Sequence, residues 1–313
     1  MKIRATQAIM ECLLEQEVDT VFGYPGGTIL NLYDELYNYK DRIHHVLTAH
    51  EQGASHAADG YARSTGKVGV CFATSGPGAT NLTTGIATAY MDSSPVVFIT
   101  CNVAEPLLGK DSFQEVDITG IAMPITKATY LVRDPATIPD VMRQAFAVAA
   151  TGRPGPVLID VPMDMFSREM EESLWDRTKV KKELLAKPAL SEEDAEFFAK
   201  KLIEAKAPVL HAGGGILLAR ASEELAALAE FLDIPVSRTL AGQGCIPDTH
   251  PLMAGQTGFW GLDQTHEFTK NADLILGLGT RFAEADSSSW YQGVTFDPTA
   301  TTFLQIDIDP TEI

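Results

Sequence analysis

Two glycine-rich turns and one carboxylate are the features of this sequence whose residue types could bind or transform a small molecule. Residues 75–81 (SGPGATN) follow one buried apolar run, and residues 213–215 (GGG) follow another. Glycines at a strand-to-helix turn let a ligand approach backbone amides at the carboxyl edge of a parallel sheet. Glu51 falls in the first turn of a predicted helix, where the helix dipole stabilises a carboxylate. Spacing alone leaves tight turns and helix capping open as alternatives.

Neither turn completes a known phosphate-binding motif. Leu218 stands where the last glycine of G-x-G-x-x-G belongs, and residues 75–81 lack the Gly-Lys-Ser/Thr ending of a P-loop. His50 and Glu51 begin a His-Glu pair, but Ala54 occupies the position of the second histidine in the zinc motif His-Glu-x-x-His. We therefore predict no metal ligands among these residues.

Short apolar strands alternate with helices along the first half of the chain. Helices are predicted at 7–17, 29–38, 51–65, 78–90 and 137–150, and strands at 20–24, 45–48, 68–73, 95–100 and 156–161. Continuous apolar strands between helices indicate a parallel sheet covered on both faces. The sequence thus predicts an α/β fold with a doubly wound sheet over residues 1–166.

A second series of the same kind follows a charged segment. Residues 167–189 lack a predicted strand and read as a linker. Beyond the linker, helices are predicted at 191–205 and 219–232, and strands at 207–211, 234–237, 272–277 and 302–307. We therefore expect a second doubly wound domain over residues 190–313.

The net charge and the apolar pattern exclude two classes of partner, nucleic acids and membranes. Asp and Glu number 42 against 24 Lys and Arg, for a formal net charge of −18, so we expect no nucleic-acid partner. No apolar run reaches the ~18 residues of a membrane helix, so we expect no membrane partner.

Four cysteines lie outside metal-clip spacing and predict buried, reduced thiols in a cytoplasmic protein: Cys12, Cys71, Cys101 and Cys245.

The order of several motifs resembles that of the thiamine-diphosphate enzymes, and most of all that of acetolactate (acetohydroxyacid) synthase large catalytic subunits. These motifs occupy residues 21–27 (VFGYPGG), 50–54 (HEQGA), 58–63 (ADGYAR), 74–81 (TSGPGATN), 109–115 (GKDSFQE) and 152–157 (GRPGPV). The resemblance is dense over residues 1–165 and thins after residue 235. It implies a pyrimidine-binding first domain and a Rossmann-like middle domain, here incomplete.

The resemblance also implies a third domain that binds the diphosphate through Mg²⁺. Its marker, Gly-Asp-Gly, occurs nowhere in this sequence. We therefore expect an N-terminal portion of a longer enzyme, without the third domain and inactive alone.

By resemblance, Glu51 matches the glutamate that hydrogen-bonds the aminopyrimidine ring of the cofactor and starts its proton relay, a step of general acid–base catalysis. Gly26 and Gly27 match a loop that brings amides near the reacting oxygen. Three further positions match the substrate channel: Phe113, Gln114 and Lys127. The cofactor would contact Pro25, Gly26, Glu51, Thr74, Gly76 and Asn81.

Whether the middle domain binds FAD stays open from the sequence. Residues that persist from the flavin pattern are Gly213, Gly214, Gly215, Thr239, Leu240, Gly279, Arg281 and Asp307. Three contacts depart from the pattern, where Met123 replaces an arginine, Thr257 replaces a histidine and Ala283-Glu284 replaces an acidic pair.

The resemblance implies a transferase of branched-chain amino-acid biosynthesis, which decarboxylates pyruvate and condenses the enamine with a second 2-ketoacid. It implies a homodimer or tetramer and leaves a small regulatory subunit open. One alternative is another thiamine-diphosphate carboligase, acyltransferase or decarboxylase, of the sulfoacetaldehyde or glyoxylate type. A non-catalytic nucleotide-binding regulatory protein is the alternative from another class, against which Glu51, Phe113 and Gln114 argue.

Overall fold

The computed structural model describes residues 2–174 and 189–313, and the chain divides into two compact units, Met1–Ala186 and Lys187–Ile313. Most of the predicted linker, residues 175–188, lies outside the described residues, so the domain boundaries stay a prediction. No helix in the described ranges is both long and apolar enough to cross a bilayer.

The first unit alternates strands and helices. Its elements are β1 (Lys2–Arg4), α1 (Ala5–Glu15), β2 (Thr20–Gly23), α2 (Leu30–Asn38), β3 (His44–Leu47), α3 (Glu51–Thr65), β4 (Gly69–Ala73), α4 (Pro77–Thr80), α5 (Thr83–Met91), β5 (Val96–Asn102), α6 (Ile118–Ala122), β6 (Ala128–Leu131), α7 (Ile138–Ala150), β7 (Val157–Pro162) and β8 (Glu169–Glu171). Six strands form one parallel sheet in the order β3-β2-β4-β5-β7-β6.

Both faces of this sheet are buried, because consecutive side chains on a strand point to opposite sides. Val70 and Phe72 of β4 pack with residues of α1, α2 and α7. Cys71 and Ala73 of the same strand pack on the other side with residues of α3, α5 and α6. The two clusters confirm the predicted doubly wound fold of this unit.

The strand order places a topological switch point at β2 and β4. From β2 the chain moves to β3 on one side, and it then returns to β4 on the other side of β2. The loops leaving the carboxyl ends of these two neighbours run in opposite directions, and the crevice between such loops is where open α/β sheets bind ligands.

The second unit repeats this architecture. It contains α8 (Glu192–Glu204), β9 (Pro208–Ala212), α9 (Gly215–Ala219), α10 (Ser222–Leu232), β10 (Val236–Arg238), β11 (Met253–Gln256), α11 (Asp263–Lys270), β12 (Leu274–Leu278) and β13 (Thr302–Ile306). Its parallel sheet has the order β11-β10-β9-β12-β13, with the switch point between β9 and β12. The prediction of a second doubly wound sheet is confirmed.

The prediction that residues 167–189 lack a strand is wrong at their start. β8 pairs antiparallel with β1, and Ile3 lies opposite Met170 in that pairing. Both side chains are buried in the first unit's core, while their neighbours are charged and exposed. One apolar residue between two glutamates is too short a pattern to indicate a strand in the sequence.

Two predicted helices are also interrupted. The helix expected at 78–90 is divided into α4 and α5, and Asn81 lies between them. The helix expected at 219–232 begins only at Ser222, because Arg220 adopts a left-handed conformation with φ of 57° and ends the short helix α9.

We predict that two glycines, Gly60 inside α3 and Gly69 at the start of β4, respond oppositely to substitution by alanine. A Cβ atom at Gly69 would lie 2.9 Å from the carbonyl carbon of Ala58, whereas Gly60 on α3 faces open space. Gly69→Ala should lower the free energy of unfolding by about 1–3 kcal/mol through steric overlap. Gly60→Ala should raise it by about 0.5–1 kcal/mol through helix propensity. Urea unfolding of the two variants measures both changes, and equal effects would contradict the packing described.

Candidate functional site

The turns that follow β2 and β4 touch each other at the switch point. A Cβ atom at Gly26 would lie 2.5 Å from Cβ of Thr74, so only glycine permits this approach. The Thr28 and Thr74 hydroxyl oxygens lie 2.9 Å apart, and the Ser75 amide donates to the Thr28 hydroxyl at 3.2 Å. Packing and hydrogen bonds thus fix the two turns as one surface at the carboxyl edge of the sheet.

Glu51 enters this surface from the start of α3. His50 caps the helix, since its Nδ1 accepts a hydrogen bond from the Gln52 amide at 3.0 Å. Glu51 is therefore the first helical residue, and its side chain is only 7% exposed. The N-terminus of this 15-residue helix stabilises the charged carboxylate, which offsets part of the cost of its burial.

Asn81 holds one oxygen of this carboxylate and leaves the other open. Its Nδ2 donates to Oε2 of Glu51 at 2.9 Å. Among the residues the structure describes, none donates a hydrogen bond to Oε1. A Cβ atom at Gly78 would lie 3.1 Å from Oε1 and 2.5 Å from Cγ2 of Thr74, so a side chain there would cover the open oxygen.

Two ionisable side chains are close enough to Glu51 to respond to its charge, Cys71 on β4 and Tyr33 on α2. Burial, followed by the negative charge of Glu51, raises the pKa of the Cys71 thiol on β4. Burial, followed by the negative charges of Cys71 and then Glu51, raises the pKa of Tyr33 on α2. A buried carboxylate that is held by Asn81, with one oxygen that accepts no hydrogen bond from the described residues, can accept one from a flat heterocyclic ligand.

Gln114 reaches the same surface through its backbone. Gly76 has φ of 56°, a left-handed conformation, and a Cβ atom there would lie 2.6 Å from the carbonyl oxygen of Gln114. Phe113 is 87% exposed in this unit. Pro25 and Gly27 flank Gly26, and Gly27 faces open space. The structure therefore brings together, at the switch point, Pro25, Gly26, Gly27, Glu51, Thr74, Gly76, Asn81 and Gln114.

Lys127 is not brought to this cluster. It precedes β6, at the amino edge of the sheet, whereas the cluster lies at the carboxyl edge. Its Nζ donates to the carbonyls of Val148 and Thr151 at the end of α7, the latter at 2.6 Å. Burial lowers the pKa of Lys127. The predicted channel role of this residue therefore stays a prediction, and its contacts here are those of a helix cap.

The residues predicted to hold FAD lie at the carboxyl edge of the second sheet. Gly213, Gly214 and Gly215 follow β9, Thr239 and Leu240 follow β10, Gly279 and Arg281 follow β12, and Asp307 follows β13. This edge contains the switch point of the second unit, the expected location of a dinucleotide.

The glycines of this edge, however, pack against each other. A Cβ atom at Gly215 would lie 2.6 Å from Cα of Gly279, and one at Gly213 would lie 2.6 Å from Cα of Thr280. The amides of Gly213 and Gly215 donate to the carbonyls of Leu278 and Gly279, each at 3.0 Å. Two of the three amides in this turn are thus engaged within the fold and are not available to a phosphate.

Cysteine and metal-ligand geometry can be stated for residues 2–174 and 189–313. The four cysteines are buried and form no disulfide, as predicted. Within those ranges no three His, Cys, Asp or Glu side chains converge as a metal-ligand set.

Sequence reasoning did not assign a site role to Thr28 or Gly78. Thr28 joins the two turns, and Gly78 keeps Oε1 of Glu51 uncovered. Thr28 directly follows the segment 21–27 and Gly78 lies inside the segment 74–81, but the contact between these two turns joins residues 46 positions apart in the sequence. Only the strand order reveals that contact.

We predict that Lys127 matters to stability in the first unit. Lys127→Met keeps the aliphatic stem but removes the ammonium group that binds two carbonyls at the end of α7. The free energy of unfolding should fall by about 1–2 kcal/mol, since a hydrogen-bonded cation at a helix C-terminus is lost. Lys110→Met, at an exposed position, is the control and should change it by less than about 0.5 kcal/mol in urea unfolding. Equal values for the two variants would remove the capping role.

Comparisons with known proteins identify the family of the chain. The model of the N-terminal TPP binding domain of thiamine pyrophosphate enzymes matches residues 3–121, and the model of their central domain matches residues 195–313. The chain is 43% identical to the probable acetolactate synthase large subunit of Methanocaldococcus jannaschii over 317 residues, covering 99% of this chain and 52% of that protein. It is 46% identical to the acetolactate synthase large subunit of Corynebacterium glutamicum over 315 residues, covering 100% of this chain and 49% of that protein.

The chain thus spans about half the length of the curated relatives it matches. The two matched regions fall in the two units of the structure, and the first includes Gly26, Glu51, Thr74 and Asn81. On these matches and on the fold, the chain belongs to the thiamine pyrophosphate enzymes and carries their N-terminal and central domains.

Proposed function

We propose that the protein containing these residues is a thiamine-diphosphate-dependent carboligase of the acetolactate synthase type. The observation that carries the proposal is the Glu51 carboxylate, whose Oε2 is bound by Asn81 and whose Oε1 is open beneath Gly78. The names of the relatives support the same reaction. The expected substrates are pyruvate and a second 2-ketoacid, and the products are an acetohydroxyacid and CO₂.

The residues at the switch point fit the aminopyrimidine of the cofactor. Gly26, Thr74 and Asn81 would flank the ring, and Oε1 of Glu51 would share a proton with one of its nitrogens. When bound, thiamine diphosphate supplies the electron sink for decarboxylation. The chain contributes a carboxylate at a fixed position, because Asn81 restricts its rotation and the start of α3 favours its charge.

Selection of the second 2-ketoacid would fall to the loop carrying Phe113 and Gln114. The Gln114 amide can donate to a ketoacid carboxylate or carbonyl, and the exposed Phe113 ring offers an apolar wall. The backbone of Gln114 lies against Gly76, in the turn that also leads to Asn81, and Phe113 is its neighbour in the sequence.

Mg²⁺ and the diphosphate would be held by residues other than those described, which offer no metal-ligand set.

The glycine turn of the second unit does not fit a phosphate cradle, because the amides of Gly213 and Gly215 donate to carbonyls within the unit. Flavin absorbance of the purified protein measures whether FAD is bound. We further propose a homodimer or tetramer, a regulatory subunit and a cytoplasmic location. The cytoplasmic location is proposed because the four cysteines are unlinked.

The test uses the full-length protein with thiamine diphosphate, Mg²⁺ and pyruvate. The unaltered protein should release CO₂ and form acetolactate. Glu51→Gln keeps the size of the side chain but loses the charge, so exchange of the thiazolium proton, followed by NMR, should slow by ~10²–10⁴. Asp140→Asn is the matched control, since Asp140 lies in the first turn of α7 and is exposed.

Normal proton exchange in a folded Glu51→Gln variant would remove Glu51 from the chemistry. An unaltered protein that converts sulfoacetaldehyde or glyoxylate, and not pyruvate, would assign it to another reaction of the same cofactor. Loss of exchange in Asp140→Asn as well would indicate a general effect of charge.

A further inference from the structure

The loop between β5 and α6 is fastened at its base by one asparagine. Oδ1 of Asn102, the last residue of β5, accepts from the Val103 amide at 2.8 Å. Its Nδ2 donates to the carbonyl of Val116 at 3.3 Å and to Oδ2 of Asp160 at 2.6 Å. The first residue of the loop and one residue near its end, Val103 and Val116, are therefore bound to the same side chain, which also contacts the buried carboxyl group of Asp160.

The tip of this loop is closed by a different side chain, Glu115. Its Oε1 accepts from the Gly109 amide, and its Oε2 accepts from the Ser112 amide at 3.0 Å. The Ser112 hydroxyl donates to the carbonyl of Leu107 at 2.9 Å, and the Glu115 amide donates to the carbonyl of Ser112 at 3.0 Å. The bonds from Gly109 and then from Ser112 lower the pKa of Glu115, so the closed loop retains its carboxylate at neutral pH.

The closure leaves Gln114 in a conformation that a free loop would abandon. Gln114 has φ of 60°, in the left-handed region that non-glycine residues avoid. Its carbonyl rests against Gly76, where a side chain on residue 76 would clash with it. Backbone strain of this kind persists only where neighbouring contacts over-determine it. Here those contacts are the bonds to the Glu115 side chain and amide on one side and Gly76 on the other.

We propose that Glu115 is a positioning residue that sets the placement of Gln114 and Phe113 and thereby the choice of the second 2-ketoacid. The inference rests on the proposed function, and it deepens that function by naming what fixes the selecting residues. Glu115 acts through the loop, because its carboxylate is turned toward the Gly109 and Ser112 amides. A carboxylate suits this task since it accepts from two donors without offering a hydrogen of its own.

The test compares Glu115→Gln with Asp111→Asn, which removes the same charge from an exposed position in the same loop. Glutamine retains one acceptor and turns an NH₂ group toward the second amide. Hydrogen exchange of the Gly109 and Ser112 amides should accelerate in Glu115→Gln and stay unchanged in Asp111→Asn. This readout needs no bound cofactor and no activity.

The second readout is the product ratio of the full-length holoenzyme offered pyruvate together with a 2-ketoacid one carbon longer. Glu115→Gln should shift the ratio and raise KM for the second ketoacid about tenfold, because misplacing a positioning group by ~1 Å costs up to 10²-fold. Exchange of the thiazolium proton, which depends on Glu51, should stay within about twofold of the unaltered protein.

The outcomes separate this inference from the proposed function. If the unaltered holoenzyme forms no acetohydroxyacid, the proposed function fails, whatever the amide exchange shows. If it forms the product and Glu115→Gln keeps the product ratio of Asp111→Asn, the inference is overturned. Slower thiazolium exchange in Glu115→Gln with an unaltered ratio would also overturn it, since that pattern indicates general damage to the site.

Discussion

The candidate site depends on the close contact between the turns that leave β2 and β4. Gly26 and Thr74 meet there because residue 26 has no side chain, and the hydroxyls of Thr28 and Thr74 join the two turns. The turn after β4 then continues into α4 and delivers Asn81 to Glu51. If the turns stood farther apart, the carboxylate would lose its partner and its fixed orientation.

Two buried acids of the first unit, Asp160 and Glu51, lie in different kinds of element. Asp160 lies within β7 and accepts hydrogen bonds from Thr100 and Asn102. Burial nevertheless raises the pKa of Asp160 to about 6. Glu51 instead is the first residue of a 15-residue helix, and one of its oxygens accepts no hydrogen bond from the described residues. Asp160 is thus suited to fasten a loop, whereas Glu51 is suited to bind a ligand.

The sequence predicts those parts of the fold that have strong local patterns. α3 begins and ends where the pattern predicts, because His50 caps it and Gly66 ends it in a left-handed conformation. The strands β6 (ATYL) and β11 (MAGQ) were not predicted, since neither carries a run of consecutive aliphatic residues and all of their residues are only half-buried. An edge strand lacks the continuous apolar run that marks a central one.

The candidate site is predictable in part for a similar reason. Glu51 and the turn at residues 74–81 could be singled out from residue types, and the resemblance to thiamine-diphosphate enzymes joined them into one site. Residue spacing could not show that Glu115 closes its loop, because that depends on how the loop backbone folds around its side chain. It could not show the position of Lys127 either, because that depends on contacts with a segment 24 residues away. The glycines at 213–215 likewise indicated a ligand turn, but their contacts show how tightly that turn packs against Gly279.

The central claim is that Oε1 of Glu51 is kept open for the aminopyrimidine of thiamine diphosphate. A crystal structure of the full-length protein with this cofactor bound tests it most directly. The account predicts Oε1 at ~2.6–3.2 Å from a ring nitrogen of the pyrimidine, with Oε2 still bound by Asn81. A bound cofactor whose pyrimidine contacts neither oxygen of Glu51 would contradict it.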